Sequence, residues 1–379
     1  MEPNNKSRRK FLYDIGLAGL SVPLISSGIK CTDDKKSNPE IMVEQNKRDG
    51  KLGIALVGLG GYAGGQLAPA LLQTGNCYLA GIVTGTPSKI PVWKEKYNIP
   101  DKNIYNYETF DNIKDNPDID IVYVVLPNSM HAEYTIRAAK AGKHVICEKP
   151  MALTVEDCDK MIAACKQAGK SLSIGYRLHF EPYNLEMVRL GTKKVYGDIK
   201  KITAGFGFLI GDPTQWRLKK AMAGGGPMQD LGIYGVQGIC YTTGHEPIAV
   251  TAQEGPKTIA DKFNEVEQSL TWQFEMPDGI IAEGEASYGY ELNFLKAEAE
   301  KGTFELSPAF NYGGLKGKIG ETPMRFPNVN QQAKQIDAIA LCIKNNQTSV
   351  VPGELGKRDV KIIAAVYEAM RTGKKITIK

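Results

Sequence analysis

The sequence contains few of the residues that bind metals. It has four histidines in 379 residues, and its seven cysteines are spread along the chain without a CxxC pair. Metal centres need close sets of such side chains, so we expect no metal site. A chain of this length can bury a sufficient core without disulfides, and we interpret the cysteines as small buried apolar side chains.

The chain also lacks a strong excess of either charge. The formal net charge is +5, and residues 1–31 carry five Lys/Arg against two acidic residues. The remainder therefore holds 42 basic and 40 acidic residues. This balance gives no electrostatic reason to bind nucleic acid or an anionic membrane, and we expect neither as a partner.

Residues 1–31 are typical of an export leader. Ser7–Leu12 (SRRKFL) is a twin-arginine pattern, and an apolar stretch containing glycines and one acidic residue follows over 11–29. This stretch is a poor membrane span, so we predict a twin-arginine signal peptide, periplasmic localisation and no stable membrane insertion. An amphipathic or disordered tail and a lipid-anchored Cys31 are the alternatives. Residues 32–50 are polar, and we interpret them as a linker or arm.

Between residues 51 and 175, short apolar runs alternate with helical patterns. The runs are Leu52–Val57, Leu79–Thr84, Ile121–Leu126, His144–Cys147 and Ser171–Gly175. Strands that alternate with helices predict a parallel, doubly wound sheet, and hence a dinucleotide-binding Rossmann domain over 51–175.

After Tyr176 the pattern changes to strands separated by turns. Six such runs are Ile199–Phe208, Ala249–Gln253, Gln268–Phe274, Ile280–Ala286, Leu292–Glu298 and Gly302–Leu306. Several alternate at period two, which predicts an open, mostly antiparallel sheet in an α+β domain over 176–379. We expect this domain to bind substrate. We also expect its open sheet to expose an apolar face, which favours a homo-oligomer, a dimer or tetramer.

A glycine-rich turn follows the first strand and has the pattern G-x-G-x-x-A. Its predicted cofactor-binding residues are Gly58, Gly60, Gly61, Tyr62 and Ala63. In a Rossmann domain the first glycine of this pattern allows the tight turn, the second admits the pyrophosphate, and the third small residue lets helix and strand pack closely. The following helix presents unbonded backbone N–H groups to the phosphates.

No Asp or Glu occurs from Gly61 to Lys94. NAD sites usually carry an acid after the second strand, where it accepts a hydrogen bond from the ribose 2′-hydroxyl. Here that position is a turn with hydroxyls and a lysine, and its predicted cofactor-binding residues are Thr84, Gly85, Thr86 and Lys89. We therefore predict NADP, with NAD as the less favoured cofactor. The alternative is a solvated turn that tolerates both.

Two further loops follow predicted strands at the carboxyl edge of the sheet, where the cofactor crevice lies. Their predicted cofactor-binding residues are Leu126, Pro127, Asn128 and His131 in the first loop, and Glu148 and Lys149 in the second. The single lysine of Glu-Lys-Pro should lie where the nicotinamide binds.

These residues resemble the Gfo/Idh/MocA oxidoreductases, and within them the glucose–fructose oxidoreductase branch. The similarity is densest at Gly58–Ala63, Thr84–Lys89, Leu126–Met151, Ile174–Asn184 and Gln215–Gly235. The resemblance implies a Rossmann domain followed by an open antiparallel sheet, a tightly held NADP and a sugar substrate.

The resemblance also implies roles for single residues. Lys149 matches the lysine of the family's Glu-Lys-Pro motif, and Asp230 and Tyr234 match its Asp-x-x-x-Tyr arrangement, so these three are the expected catalytic and substrate-binding residues. Trp216, Arg217 and Arg177 are expected near the cofactor, and Tyr176 and Arg177 in the substrate pocket. We expect Tyr312, from a glycine-rich segment, to close that pocket.

A sugar oxidoreductase needs a path for a hydride and a path for a proton. We hypothesise that Tyr234 handles the proton, that Lys149 polarises the carbonyl, and that Asp230 positions the sugar or Lys149. A spacing of four puts Asp230 and Tyr234 on one helix face. The predicted function is an exported NADP-dependent sugar oxidoreductase that passes hydride from an aldose to a ketose. An NAD-dependent glycoside hydrolase and a non-catalytic sensor are the alternatives, because the fold alone does not decide function.

Overall fold

The computed structural model describes residues 50–378. The predicted leader, Cys31 and all of the predicted arm except Gly50 lie outside these residues. Two β-sheets organise the described part of the chain, and each half of the sequence contributes one of them.

The first sheet has six parallel strands in the order β3-β2-β1-β4-β5-β6. The strands are β1 (Leu52–Val57), β2 (Cys77–Val83), β3 (Ile104–Tyr105), β4 (Ile121–Val124), β5 (His144–Cys147) and β6 (Leu172–Ile174). This is the doubly wound order of a Rossmann fold, with the topological switch between β1 and β4. The predicted fold of this half is confirmed.

Helices cover this sheet. They are α1, which is π-helical over Ala63–Leu67 and α-helical over Ala68–Leu71, α2 (Ile90–Tyr97), α3 (His131–Lys140) and α4 (Val155–Gln167). Sequence signals explain α4, because the Thr154 hydroxyl caps it by accepting from the Asp157 amide, and its buried Cys158, Met161 and Cys165 share one face. The six cysteines of the described residues are buried free thiols, as predicted.

The second sheet has nine strands in the order β14-β13-β12-β11-β7-β10-β9-β8-β15. They are β7 (Ile199–Gly207), β8 (Ala249–Glu254), β9 (Ser269–Glu275), β10 (Ile281–Ser287), β11 (Leu292–Ala299), β12 (Gly302–Leu306), β13 (Gly317–Ile319), β14 (Thr322–Pro323) and β15 (Ile376–Thr377). All neighbours are antiparallel except β7 and β10. The predicted open, mostly antiparallel sheet is confirmed.

One face of the second sheet is covered by a buried helix. The helices of this half are α5 (Pro182–Thr192), α6 (Lys220–Ala223), α7, which is π-helical over Met228–Gly232 and α-helical over Ile233–Thr243, α8 (Gln331–Lys344) and α9 (Gly353–Thr372). Short 3-10 turns connect these elements at Pro87–Lys89, Asp101–Asn103, Phe110–Asp115, Asn128–Met130, Arg177–Phe180, Trp216–Leu218 and Pro277–Gly279. A Cβ on Gly235 would lie 3.2 Å from Trp272 of β9, so glycine lets α7 approach the sheet closely.

The other face of this sheet is more polar than expected. We predicted an apolar face, and most side chains that alternate outward from the central strands are polar or charged: Thr203, Thr251, Thr271, Gln273, Glu283 and Glu285. Phe294 lies on the same face, and Ile281 is 46% exposed there. Lys201 and Glu283 form an ion pair on this face. These strands therefore present a mixed face with more polar than apolar side chains, and the homo-oligomer stays a prediction.

Helices α8 and α9 return to the first sheet. In α8, the Asp337 carboxylate accepts hydrogen bonds from the Gly75 and Asn76 amides at 3.0 and 2.8 Å. Gln335 of the same helix donates to the Tyr123 hydroxyl in β4 at 2.8 Å. Helix α9 packs on α4 and β6 as well as on β8. Elements of the second half thus form hydrogen bonds and packing contacts with the first half. The predicted boundary at 175/176 stays a prediction.

Candidate active site

The glycine turn between β1 and α1 has the geometry of a phosphate-binding loop. Gly58 has a φ of +95°, and a Cβ on it would lie 2.4 Å from the Val125 carbonyl oxygen, so only glycine fits there. Around Gly60 and Gly61, in contrast, no heavy atom lies within 4 Å of an added Cβ. The turn is therefore closed toward the sheet and open on the side from which a pyrophosphate would approach.

The turn after β2 lies beside the glycine turn. The Lys89 ammonium donates to the Leu59 carbonyl oxygen at 2.8 Å. Lys89, the residue predicted to bind the 2′-phosphate, therefore lies next to the glycines. Thr84 is buried, and its hydroxyl accepts from the Thr86 amide at 3.1 Å. A Cβ on Gly85 would lie 2.6 Å from the Tyr107 ring, so this glycine is required by packing.

The loop after β4 is fixed from within the protein. His131 is 1% exposed, and its ring nitrogens lie 2.8 Å from the carbonyl oxygens of Leu126 and Pro150. Asn128 is also buried and donates to the Ala223 carbonyl oxygen at 2.8 Å. Both side chains therefore shape the loop and tie it to neighbouring segments. A direct contact of His131, Asn128, Leu126 or Pro127 with the cofactor stays a prediction.

Glu148 is a buried carboxyl group held by hydrogen bonds. Its Oε1 accepts from the Tyr123 hydroxyl at 2.7 Å, and its Oε2 from the Lys149 amide at 3.3 Å. Burial raises the pKa of Glu148, against these hydrogen bonds and the charge of Lys149. Glu148, Tyr123 and Gln335 form a chain under the site, which supports the backbone that carries Lys149.

Lys149 and Asp230 meet, although 81 residues separate them. The Lys149 ammonium donates to the Asp230 carbonyl oxygen at 2.6 Å and to its Oδ1 at 3.0 Å. Burial alone would lower the pKa of Lys149, but Tyr234 and Asp230 outweigh it and raise that pKa. Lys149 is therefore held as a cation.

The second carboxylate oxygen of Asp230 has two other donors. Arg217 Nε lies 2.9 Å from Oδ2, and the Tyr288 hydroxyl lies 3.0 Å from it. Although burial favours the protonated acid, the charges of Lys149 and Arg217 hold the pKa of Asp230 below its usual range. The Arg217 guanidinium also stacks on Trp216, 4.7 Å from the ring centroid. The predicted residues Arg217 and Trp216 thus lie beside the acid of the site.

Tyr234 lies one helical turn beyond Asp230, and its ring is flanked by cations. The Lys149 ammonium is 4.6 Å and the Arg177 guanidinium 5.0 Å from the ring centroid. Phe206 and Phe310 pack around the same ring at 5.5 and 6.0 Å. The prediction that Lys149, Asp230 and Tyr234 come together is therefore met by the geometry, in a helix that begins with a π turn, a feature frequent at functional sites.

Arg177 links Tyr234 to the segment that carries Tyr312. Its guanidinium lies 4.4 Å from the Tyr312 ring centroid, and the Tyr312 ring packs against Tyr62 at a tilt, with centroids 5.7 Å apart. Arg177 is 3% exposed and donates to the carbonyl oxygens of Phe310 and Asn311 and to Gln331. Tyr312 is 48% exposed, so it forms the rim of the site. Arg177 anchors that rim, and its direct contact with cofactor or sugar stays a prediction.

Tyr176 is not part of this site, which corrects our prediction that it contacts the substrate. It is 2% exposed and lies in a second buried group with His179, whose ring is 6.3 Å away. His179 in turn lies 3.9 Å from Tyr241, over which Arg358 stacks. Tyr176 directly precedes the 3-10 turn over Arg177–Phe180, and the two neighbours have different surroundings: Arg177 contacts Tyr234 and Tyr312, whereas Tyr176 packs beside His179.

Sequence reasoning missed the residues that support the site from a distance. Tyr123, Gln335 and Tyr288 belong to no motif. The only available signal was Tyr123 itself, because a tyrosine inside a buried apolar strand needs a partner for its hydroxyl. Tyr288 and Gln335 reach the site through long-range packing that a local pattern does not encode.

Two further observations concern the part of the chain from residue 50 to residue 378. No group of three or more His, Cys, Asp or Glu side chains is arranged to hold a metal ion there. No helix in that part combines the length and the apolar character needed to cross a membrane.

Comparison with known families gives two matches. Residues 52–176 match an oxidoreductase family with an NAD-binding Rossmann fold, and residues 185–305 match the GFO/IDH/MocA C-terminal domain. The first match spans the glycine turn and Lys149, and the second spans Asp230, Tyr234 and Tyr288.

Individual relatives are similar over most of the chain. A solved aldose-aldose oxidoreductase from Caulobacter crescentus is 42% identical with a TM-score of 0.83, over 86% of this chain and 99% of the relative. D-xylose 1-dehydrogenase [NADP(+)] from Haloarcula marismortui is 26% identical over 87% of this chain and 94% of the relative. D-glucoside 3-dehydrogenase from Escherichia coli is 27% identical over 68% of this chain and 79% of the relative.

Proposed function

Because the chain belongs to the GFO/IDH/MocA oxidoreductase family, we propose that it moves hydride between a sugar carbon and a bound NADP, and that it does so between two aldoses. The family predicted from the residues is confirmed. The observation that carries the proposal is the meeting of Lys149, Asp230 and Tyr234 at the carboxyl edge of the Rossmann sheet.

The glycine turn fits a dinucleotide, because the space beside Gly60 and Gly61 is free of protein atoms. That turn and the start of α1 would hold the pyrophosphate, and Lys89 with the hydroxyl-rich turn would hold the 2′-phosphate. When bound, the nicotinamide supplies the acceptor or donor of hydride. The NADP dependence of the Haloarcula marismortui relative supports this cofactor.

Lys149 has one N–H left for the substrate. An ammonium has three donors, and two of them bond to Asp230. The third can donate to the oxygen on the reacting sugar carbon, where negative charge develops as the hydride moves. A fixed cation beside that oxygen stabilises the charge without reorganising.

Tyr234 is the proposed proton carrier. Its ring lies beside two cations, the Lys149 ammonium and the Arg177 guanidinium. Negative charge that appears on the phenol oxygen during proton transfer is therefore stabilised by Lys149 and Arg177. In its ionised form Tyr234 would take the hydroxyl proton when the sugar is oxidised, and in its neutral form it would return that proton when a sugar is reduced.

We propose an aldose as hydride acceptor because the Caulobacter crescentus relative is named for transfer between two aldoses. A ketose acceptor, which the sequence led us to expect, is the other outcome of the test. We also propose export by the twin-arginine route to the periplasm, on the pattern of Ser7–Leu12. Detection of the mature protein in a periplasmic fraction, and its loss there for an Arg8→Lys/Arg9→Lys variant, would test this.

The decisive experiment identifies the nucleotide that copurifies with the full chain and follows its absorbance. We expect NADP that D-glucose or D-xylose reduces and that a second aldose reoxidises. If only D-fructose reoxidised the cofactor, the hydride acceptor would be a ketose and not an aldose. Retained NAD with cleavage of a glycoside, or a nucleotide that no sugar reduces, would contradict the proposal.

A further inference from the structure

The carboxylate of Asp230 is divided between two sets of partners. Oδ1, together with the carbonyl oxygen of the same residue, faces Lys149. Oδ2 faces Arg217 and Tyr288 at 2.9 and 3.0 Å. Each oxygen of this acid thus has its own donors, and one donor of Oδ2, Tyr288, lies outside every motif that the sequence analysis identified.

Tyr288 is the more rigid of the two donors to Oδ2. It follows directly after β10, its ring is 1% exposed, and it packs on Phe208 with centroids 5.4 Å apart. Its amide donates to Gln268 at 2.8 Å. The Arg217 side chain, in contrast, is 32% exposed and lies on a short 3-10 turn. The fixed position of Oδ2 therefore depends chiefly on Tyr288.

We propose that Tyr288 is a positioning residue: its hydroxyl pins Oδ2 of Asp230, so that Oδ1 and the carbonyl oxygen of Asp230 hold Lys149 with its third N–H directed at the reacting oxygen. The terminal torsion of an aspartate is broad, so a carboxylate anchored at Oδ2 by Arg217 alone would swing more freely and loosen the bond from Lys149 to Oδ1. The inference rests on the proposed function of Lys149. It also assigns Asp230 to Lys149, a choice that the sequence left open between Lys149 and the sugar.

The electrostatics of the pair agree with this geometry. Burial raises the pKa of Tyr288, and the neighbouring Asp230 raises it further, so the phenol keeps its proton and stays a donor. After the charges of Lys149 and Arg217, the Tyr288 hydrogen bond also helps to lower the pKa of Asp230 against the effect of burial. Tyr288 therefore stabilises the ionised form of the acid that Lys149 needs.

The test compares Tyr288→Phe with Tyr290→Phe in the full chain. Tyr290 is 41% exposed and donates to Glu285, so its variant is a matched control. For Tyr288→Phe we expect the single-turnover rate of NADP reduction by D-glucose to fall roughly ten- to hundredfold, with the sugar concentration at half-saturation and the melting temperature nearly unchanged. For Tyr290→Phe we expect the wild-type rate.

A second readout needs no turnover. Acylation of Lys149 by acetic anhydride, measured by mass spectrometry on the apoprotein, should be severalfold faster in Tyr288→Phe, because a loosened Asp230 no longer holds the ammonium. A wild-type reduction rate in Tyr288→Phe, or unchanged Lys149 acylation, would overturn the inference. If Tyr288→Phe lowered only the melting temperature and changed neither the reduction rate nor the acylation of Lys149, Tyr288 would have a packing role and no positioning role. If the wild-type protein reduces no cofactor with any sugar, the proposed function fails, while the acylation result still decides the role of Tyr288.

Discussion

The Lys149 ammonium lies 2.6 Å from the carbonyl oxygen and 3.0 Å from Oδ1 of a single residue, Asp230. The raised pKa of Lys149 and the lowered pKa of Asp230 mean that both groups stay charged well beyond neutral pH on either side. The stability from Asp230 is present above its unfolded pKa of about 3.9 and is lost as pH falls through the folded value. That from Lys149 is present below about 10.4 and is lost as pH rises through the folded value.

The wild-type rate of cofactor reduction should therefore show no contribution from this pair between about pH 5 and pH 9. In Asp230→Asn, burial of Lys149 is no longer offset by a carboxylate, so its pKa should fall and activity should decline toward alkaline pH. A pH–rate profile measures this decline. Asp278→Asn, at a carboxylate that is 72% exposed, should keep the wild-type profile. A wild-type profile in Asp230→Asn would show that Asp230 does not hold the charge of Lys149.

Tyr234→Phe tests the proton path. We expect the rate of sugar-dependent NADP reduction to fall by roughly 10²–10⁴-fold, because one general acid/base is removed, while nucleotide binding is kept. Tyr241→Phe is the control, since Tyr241 lies in the same helix but belongs to the second buried group beside His179. Near wild-type turnover in Tyr234→Phe would assign the proton to another group.

Lys89→Ala tests the choice of cofactor. If Lys89 binds the 2′-phosphate, its loss should weaken NADP binding roughly ten- to hundredfold and leave NAD binding almost unchanged, because NAD lacks that group. Calorimetric titration of the apoprotein with both nucleotides gives the ratio. Lys94→Ala, whose ammonium pairs with Asp101 at 2.5 Å, should leave both affinities as they are. Equal weakening of NAD and NADP would show that Lys89 only supports the glycine turn through Leu59.

Two glycines of one turn should respond in opposite ways to alanine. Gly58→Ala forces a Cβ into the Val125 carbonyl and strains a φ of +95°, so the melting temperature of the apoprotein should drop strongly. Gly60→Ala meets no protein atom within 4 Å and should leave the apoprotein stable while it obstructs the nucleotide. Thermal melts with and without NADP distinguish the two. If both substitutions lowered the melting temperature of the apoprotein equally, the turn would not be open beside Gly60.

His179 should make stability depend on pH. Burial, followed by the charge of Arg358, lowers the pKa of His179 to about 3, whereas the unfolded value is about 6.5. The unfolded chain therefore binds the extra proton first, and the stability is complete above about pH 6.5 and is lost as pH falls. Urea unfolding at pH 7 and pH 5 should show a loss about 2 kcal/mol larger in wild type than in His179→Gln. His245→Gln should behave as wild type, and equal losses in all three proteins would refute the assignment.

The sequence predicted those strands and helices that arise from a local pattern of apolar residues and turn signals. Leu52–Val57 and His144–Cys147 are apolar runs between turn signals, and the structure has strands at those residues. The short strand Ile104–Tyr105 and the helix Pro182–Thr192 were not predicted. The strand is only two residues long, and the helix begins at a proline near the end of the family-like stretch Ile174–Asn184, so neither has a distinct periodic pattern.

Some residues of the candidate site could likewise be located from the sequence, and others could not. The glycine turn and Lys149 could be located from sequence because each follows a strand in a parallel sheet, where carboxyl ends converge. The burial of Tyr176 could not be predicted from sequence. Tyr176 and Arg177 are neighbours at the start of a 3-10 turn, and only packing decides which of them faces the site. The outer face of the second sheet is more polar than its open topology suggests, because side chains such as Thr271 and Gln273 alternate with the buried ones there.

The return of α8 onto the first sheet has a consequence for how the protein is made. Asp337 caps the amides of Gly75 and Asn76, and Gln335 completes the hydrogen bonds of Tyr123. These partners leave the ribosome more than two hundred residues apart, so the nucleotide-binding half cannot finish folding while it is being synthesised. The hydrogen bonds of Tyr123 and of the Gly75–Asn76 turn are therefore completed only after α8 has been synthesised, late in the production of the chain.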